Sequence, residues 1–174
     1  MFRYSVMTVT GLVVVLALVL LVGSYLPVKH QVTREAAYRA TPAQLFALIR
    51  NVDDYPSWQK SVSKIEVLPD VEGKQRMRET NSGQAITYEL GDIVPNQRMV
   101  SRIVDAKLPF GGSWTYQLIP GQSANTTTLR ITENGEVYNP VFRFVSRFVM
   151  GHTATIDKYL EAVATRYPRL PGAS

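Results

Sequence analysis

The stretch Asn139-Pro-Val-Phe-Arg-Phe-Val-Ser-Arg-Phe-Val-Met-Gly-His-Thr-Ala-Thr-Ile-Asp-Lys-Tyr-Leu-Glu-Ala-Val-Ala-Thr-Arg-Tyr167 decides how the rest of the chain is read. Asn139 can cap a helix N-terminus, Pro140 suits the first helical position, and Pro168 blocks continuation beyond Tyr167. At 100° per residue Val141, Phe142, Val145, Phe148, Val149, Ile156, Tyr159, Leu160, Val163 and Tyr167 share one side, with Arg143, Arg147, Asp157, Lys158 and Glu161 opposite. The spacing predicts one long helix with a stripe to bury, spanning roughly 40 Å at 1.5 Å per residue. Such a helix needs a partner surface of its own length, and a curved sheet would supply one. Two residues disturb the pattern. Gly151 falls mid-helix, where it costs about 1 kcal/mol against Ala, and His152 points into the apolar stripe.

At the other end, residues 1–4 form a short tail and residues 5–26 an apolar segment whose run from Val6 to Leu26 carries no charge. At helical rise that run reaches about 30 Å, the thickness of a bilayer core, so the first expectation is a single-pass membrane anchor. A cleaved signal peptide is the alternative, with Val22 and Ser24 as small residues for a cleavage site, but the run outlasts the ~7–15 residues of an ordinary signal core. Arg3 flanks one end and Lys29, Arg34 and Arg39 the other, so positive charge does not choose a side; the short tail favours export of the domain. Residues 27–174 suit one domain with one core.

The 174-residue chain has no cysteine, which removes disulfides and thiolate metal sites. Its net charge of +5 is spread along the sequence without a basic run, so no nucleic-acid partner is expected. Oligomeric state is not legible.

Taken in order, the segment His30 to Ala40 reads as a strand, and Thr41-Pro42-Ala43-Gln44 is a capping box with a first-turn proline ahead of Leu45, Phe46, Leu48 and Ile49. Asn51 to Trp58 reads as turn chemistry, with Tyr55 and Trp58 folding back onto the domain. Period-two patterning then predicts strands over Val62–Leu68, Lys74–Thr80, Ala85–Val94, Met99–Val104, Ser113–Ile119 and Thr126–Val137. The separators are Pro69-Asp70, Asn81-Ser82-Gly83, Pro95-Asn96, Pro109-Phe110-Gly111-Gly112 and Pro120 to Ser123. Short links imply antiparallel neighbours. The fold class is therefore α+β, with about seven antiparallel strands wrapped around a long C-terminal helix.

Two segments carry a resemblance. Ala40-Thr-Pro-Ala-Gln-Leu-Phe-Ala-Leu-Ile-Arg-Asn-Val-Asp-Asp-Tyr-Pro-Ser-Trp58 is similar to the Ala-x-Pro helix start and Tyr/Trp-Pro-x-Trp turn of the START-like superfamily, the SRPBCC or polyketide cyclase/dehydrase and lipid-transport group. Ser113-Trp-Thr-Tyr-Gln-Leu118 and Thr127-Thr-Leu-Arg-Ile-Thr-Glu133 resemble its later strands. Over residues 30 to 167 the resemblance implies a helix-grip fold with an apolar cavity between sheet and helix. It also implies an apolar ligand such as a lipid, isoprenoid or polyketide, and only some members are enzymes.

Catalytic signatures are sparse. Ser57 to Lys60 and Ser61 to Lys64 match Ser-x-x-Lys, but one straddles a turn and the other enters a strand. Asp53-Asp54 suits a turn, Glu136 faces water, and two histidines without cysteine leave no metal set or cofactor to expect. His152 is the polar group that demands a partner; it is a satisfied core histidine, a ligand contact or, with Glu133, an acid-base pair. Candidate ligand-binding residues are His152, Phe148, Phe142, Tyr116, Trp114, Phe110, Tyr88, Trp58 and Phe46. The expectation is a membrane-tethered module binding an apolar small molecule; the alternative is a cyclase- or dehydratase-type enzyme using His152 and Glu133.

Overall fold

The computed structural model describes residues 2–151 and 153–171, with side chains from residue 11 onward except that of Met150. His152 lies outside the described residues, so the expectations attached to it have no structural counterpart here.

Helix α1 (Phe2–Tyr25) leads into strand β1 (Lys29–Tyr38), followed by α2 (Pro42–Arg50), a 3₁₀ turn at Val52–Asp54 and α3 (Tyr55–Trp58). The predicted capping box forms: Thr41 Oγ1 accepts from the Gln44 amide at 3.2 Å and Gln44 Oε1 accepts from the Thr41 amide at 2.8 Å. Leu45 and Ile49 on this helix are buried. The aromatics of the following turn fold back as expected. Tyr55 and Trp58 are buried, though Tyr55–Trp58 is a helical turn in its own right, and the Tyr55 hydroxyl donates to the Ile49 carbonyl at 2.6 Å.

Six further strands follow: β2 (Val62–Val71), β3 (Lys74–Asn81), β4 (Gln84–Val94), β5 (Arg98–Ile103), β6 (Phe110–Pro120) and β7 (Thr127–Val137). With β1 they form one antiparallel sheet in the order β1-β7-β6-β5-β4-β3-β2. Two expected separators belong to strands. Pro69-Asp70 lies in β2, whose turn to β3 comes later at Glu72 and Gly73, and Phe110 to Gly112 open β6. The non-local pairing of β1 with β7 brings residues about a hundred positions apart side by side, as in Val32 opposite Glu133.

The long C-terminal helix of the sequence reading is two pieces. Asn139 Oδ1 accepts from the Val141 and Phe142 amides and starts α4 (Pro140–Val145), which widens into a π-helical turn at Ser146–Met150. Gly151 then takes φ +73°, ψ 150°, a conformation essentially confined to glycine, and α5 (Ala154–Ala164) begins afresh. Gly151 is thus a break where the sequence reading placed a glycine inside one continuous helix.

The predicted stripe is buried only beyond the break. Ile156, Tyr159, Leu160 and Val163 are core residues, and the Tyr38 hydroxyl holds α5 by donating to the Leu160 carbonyl at 2.6 Å. Phe142, Phe148 and Val149 are 52%, 60% and 73% exposed. Segment α4 packs instead against the end of α1, where Gly23 lies so close to the Pro140 carbonyl that any Cβ would collide with it, and Arg143 Nη1 donates to the Leu26 carbonyl at 2.8 Å. Leu12 to Leu16, Leu18 and Leu20 to Val22 of α1 expose apolar side chains. Among the described residues no helix is long and apolar enough to cross a membrane, the described side chains of α1 beginning only at Gly11.

Candidate functional site

Strand register decides which side chains meet α5. Glu133 on β7 pairs with Trp114 on β6, Trp114 with Ser101 on β5, and Ser101 with Leu90 on β4, so these four share a row on one face. In the next row Ile131 pairs with Tyr116 and Tyr116 with Met99. Tyr159 of α5 presses into this surface. Its ring lies 5.4 Å from Trp58, 5.8 Å from Trp114 and 5.6 Å from Tyr116, mostly edge to face, and Tyr55 adds a further ring 5.2 Å from Trp58. Such contacts contribute about 0.5–1.5 kcal/mol each beyond the area they bury. Rings meet across the centre of the sheet–helix interface, where the sequence reading expected open space.

The cluster contains poorly satisfied polar groups. Trp58 Nε1 is buried without a hydrogen bond, and the Tyr159 hydroxyl makes none of good geometry, although the Tyr55 and Tyr116 hydroxyls lie near it. Glu79 of β3, 9% exposed, makes no hydrogen bond or ion pair with any described residue, and burial pushes its carboxyl up to about 7. Its charge acts on Tyr55, Tyr88, Tyr116 and Tyr159, whose phenols burial holds well above their ordinary range. A buried polar atom without a partner costs about 1–3 kcal/mol, and folded domains carry few of them. Two such atoms, Trp58 Nε1 and the Tyr159 hydroxyl, lie on this interface beside the buried Glu79 carboxyl.

Beside the rings, Glu133 is fully engaged. Trp114 Nε1 donates to its Oε2 at 2.7 Å, and His30 Nε2 lies 3.1 Å from its Oε1. Of the residues singled out from sequence, the structure gathers Trp58, Trp114, Tyr116, Tyr88 and Glu133 here and packs Phe46 partly buried against the core. Phe110 opens β6 half-buried, while Phe142 and Phe148 are exposed on the segment before the break and stand apart from the cluster. Sequence reasoning missed Glu79, Tyr55, Tyr159 and His30 as a set. A signal for Glu79 was present: alternation from Met77, the apolar residue of β3, places Glu79 on the same inward face.

Two clefts flank the interface. One, of about 530 Å³, is lined by Arg34, Glu35, Asp157, Leu160, Glu161 and Arg169, with Arg34 paired to Asp157 at 3.4 Å. The other, of about 190 Å³, lies where α1 meets the domain.

A seven-stranded antiparallel sheet closed over a C-terminal helix, with an aromatic interior carrying isolated polar groups, defines a START-like α+β domain of the helix-grip kind. Residues 29–167 match the family described as polyketide cyclase / dehydrase and lipid transport, and the chain belongs to that family. No curated protein sequence matches it. Among solved structures it is similar to a START superfamily protein from Mycobacterium smegmatis, at 15% identity and TM-score 0.64, covering 79% of this chain and 96% of that one. It is also similar to the Zhui aromatase/cyclase from Streptomyces sp. R1128, at 17% identity and TM-score 0.60, covering 84% and 99%. A norcoclaurine synthase point mutant from Thalictrum flavum, in complex with a transition-state analogue, gives 10% identity, TM-score 0.62 and coverage of 80% and 94%. At these identities the likeness shows the fold.

Proposed function

We propose that this chain is a membrane-tethered module that binds an apolar small molecule between the sheet and α5, with the ligand's polar end received by Glu79 and Tyr159. The observation that carries this reading is the buried Glu79 carboxyl, which makes no hydrogen bond or ion pair with a described residue, together with the poorly satisfied Tyr159 hydroxyl and Trp58 Nε1 in an otherwise aromatic interior. A ligand hydroxyl suits them, since it donates to the carboxyl and accepts from a phenol or indole N–H. Entry requires Tyr159 to swing aside or α5 to shift, and the break at Gly151 supplies a joint between α5 and the segment held by α1. The uncharged run from Val6 to Leu26 and the outward apolar side chains of α1 support retention as a single-pass anchor, and the short N-terminal tail favours the domain on the exported side.

Native mass spectrometry of the full chain extracted in detergent tests the reading. A co-purified apolar mass that is lost in Glu79→Gln is expected; a chain free of adducts that also fails to take up added apolar alcohols contradicts it. Carbonate washing of membranes tests the tether, which fails if the intact chain is released.

A second reading, a cyclase- or dehydratase-type enzyme, is favoured by one observation. A carboxyl held at about 7 is poised for proton transfer near neutral pH. Glu79 would then be its acid or base, because Glu133 is already held between His30 and Trp114. Turnover that collapses in Glu79→Gln while ligand binding persists would establish this reading over the first.

A further inference from the structure

The smaller cleft has a chemistry of its own. Leu26, Pro27, His30, Arg143, Ser146 and Arg147 line it, and no acidic residue does. Arg143 is fixed by the bond from Nη1 to the Leu26 carbonyl at 2.8 Å, yet its Nε is buried without a hydrogen-bond partner. Neither Arg143 nor Arg147 is paired with an acidic side chain of the described residues. Glu133, the acid that approaches from the domain, has its charge drawn by His30 Nε2 and Trp114 Nε1. A guanidinium with a free N–H in a half-enclosed site is complemented by an oxyanion, and its planar fork matches phosphate.

We propose that this cleft is a phosphate-binding site, filled by a lipid headgroup or by free phosphate. The lipid source rests on the tethering proposed above; the site itself does not. Position favours the lipid. Leu26, directly after α1, forms one wall, and Arg147 is followed by the exposed Phe148 and Val149, so a bilayer around α1 would set its headgroups level with the two arginines. The volume of about 190 Å³ accommodates such a group.

The test uses the full chain, with Arg147→Gln, which removes an exposed charge, and Arg143→Lys, which keeps a charge but loses Nε. Wild type and variants are reconstituted in bilayers of phosphatidylcholine with or without phosphatidylglycerol, and retained lipid is read by native mass spectrometry. Thermal melts in detergent with added inorganic phosphate run in parallel. Retention of phosphatidylglycerol over phosphatidylcholine, reduced about tenfold or more in the double variant, supports the site with lipid as its source. Stabilisation by inorganic phosphate that disappears in the variants supports the site with free phosphate as its source. Loss of membrane association with the phosphate response intact overturns only the tether. Equal retention of both lipids together with no phosphate response, or responses unchanged in the variants, overturns the proposal.

Discussion

The two halves of the C-terminal segment carry similar residues and have opposite fates. Before Gly151, Phe142, Phe148 and Val149 stand in solvent and α4 leans on the end of α1; after it, Ile156, Tyr159, Leu160 and Val163 form the floor of the core. Hydrophobic patterning is therefore not what decides burial here. The partner does: the face of the sheet receives α5, whereas Phe142, Phe148 and Val149 of the first half have no surface of the domain to cover them. One half packs into the sheet and the other against the end of α1.

Substitutions should separate the halves sharply. Ile156→Ala, in the fully buried half, is expected to cost about 2–5 kcal/mol in denaturant unfolding, because it leaves a cavity that the sheet cannot close. A loss below 1 kcal/mol would mean that α5 is not held as described. At the joint, Gly151→Ala should cost about 1–3 kcal/mol, since φ +73° strains any L side chain even though nothing crowds its Cβ. This reverses the sequence expectation, in which Ala relieves a mid-helix glycine; a raised midpoint would restore a continuous helix.

Glu79 sharpens the inner half through pH. Burial raises its carboxyl from 4.5 to about 7, so the native state holds a proton that the unfolded chain has already released. Stability from this group is therefore fully present below pH 4.5 and is lost as pH rises through about 7. Glu79→Gln should remove that decline, leaving the variant more stable than wild type by about 1–3 kcal/mol at pH 8, with a smaller difference in acid. Melts across this range check it, and parallel pH profiles for the two proteins would refute it. The smallest effect belongs to the outer half. Phe148→Ala should change stability by no more than about 0.5 kcal/mol while reducing association with vesicles, and a loss of several kcal/mol would place Phe148 in a core.

Much of the scaffold was legible in the sequence. The capping box at Thr41, the inward Tyr55 and Trp58, and seven strands in a meander all follow from local chemistry and period-two patterning. The broken helix was not legible, because seven residues, close to two full turns, separate Val149 from Ile156, so the stripe stays in phase across a break that only backbone dihedrals reveal. His30 was out of reach for another reason. Its place beside Glu133 comes from the pairing of the first and last strands, which no local pattern encodes. Glu79 and Tyr159 sat on readable faces, but how poorly they are satisfied is a three-dimensional fact.

Both tryptophans of the chain, Trp58 and Trp114, lie in the ring cluster around Tyr159, so intrinsic emission reports on the interface directly. The decisive measurement is a titration of the full chain with 1-decanol, followed by tryptophan emission, in wild type, Tyr159→Phe and Glu79→Gln. A saturable change in the wild type, weakened about tenfold when the Tyr159 hydroxyl alone is removed, is the predicted result. No saturable change, or equal affinity in all three proteins, would contradict the claim that these poorly satisfied groups receive a ligand.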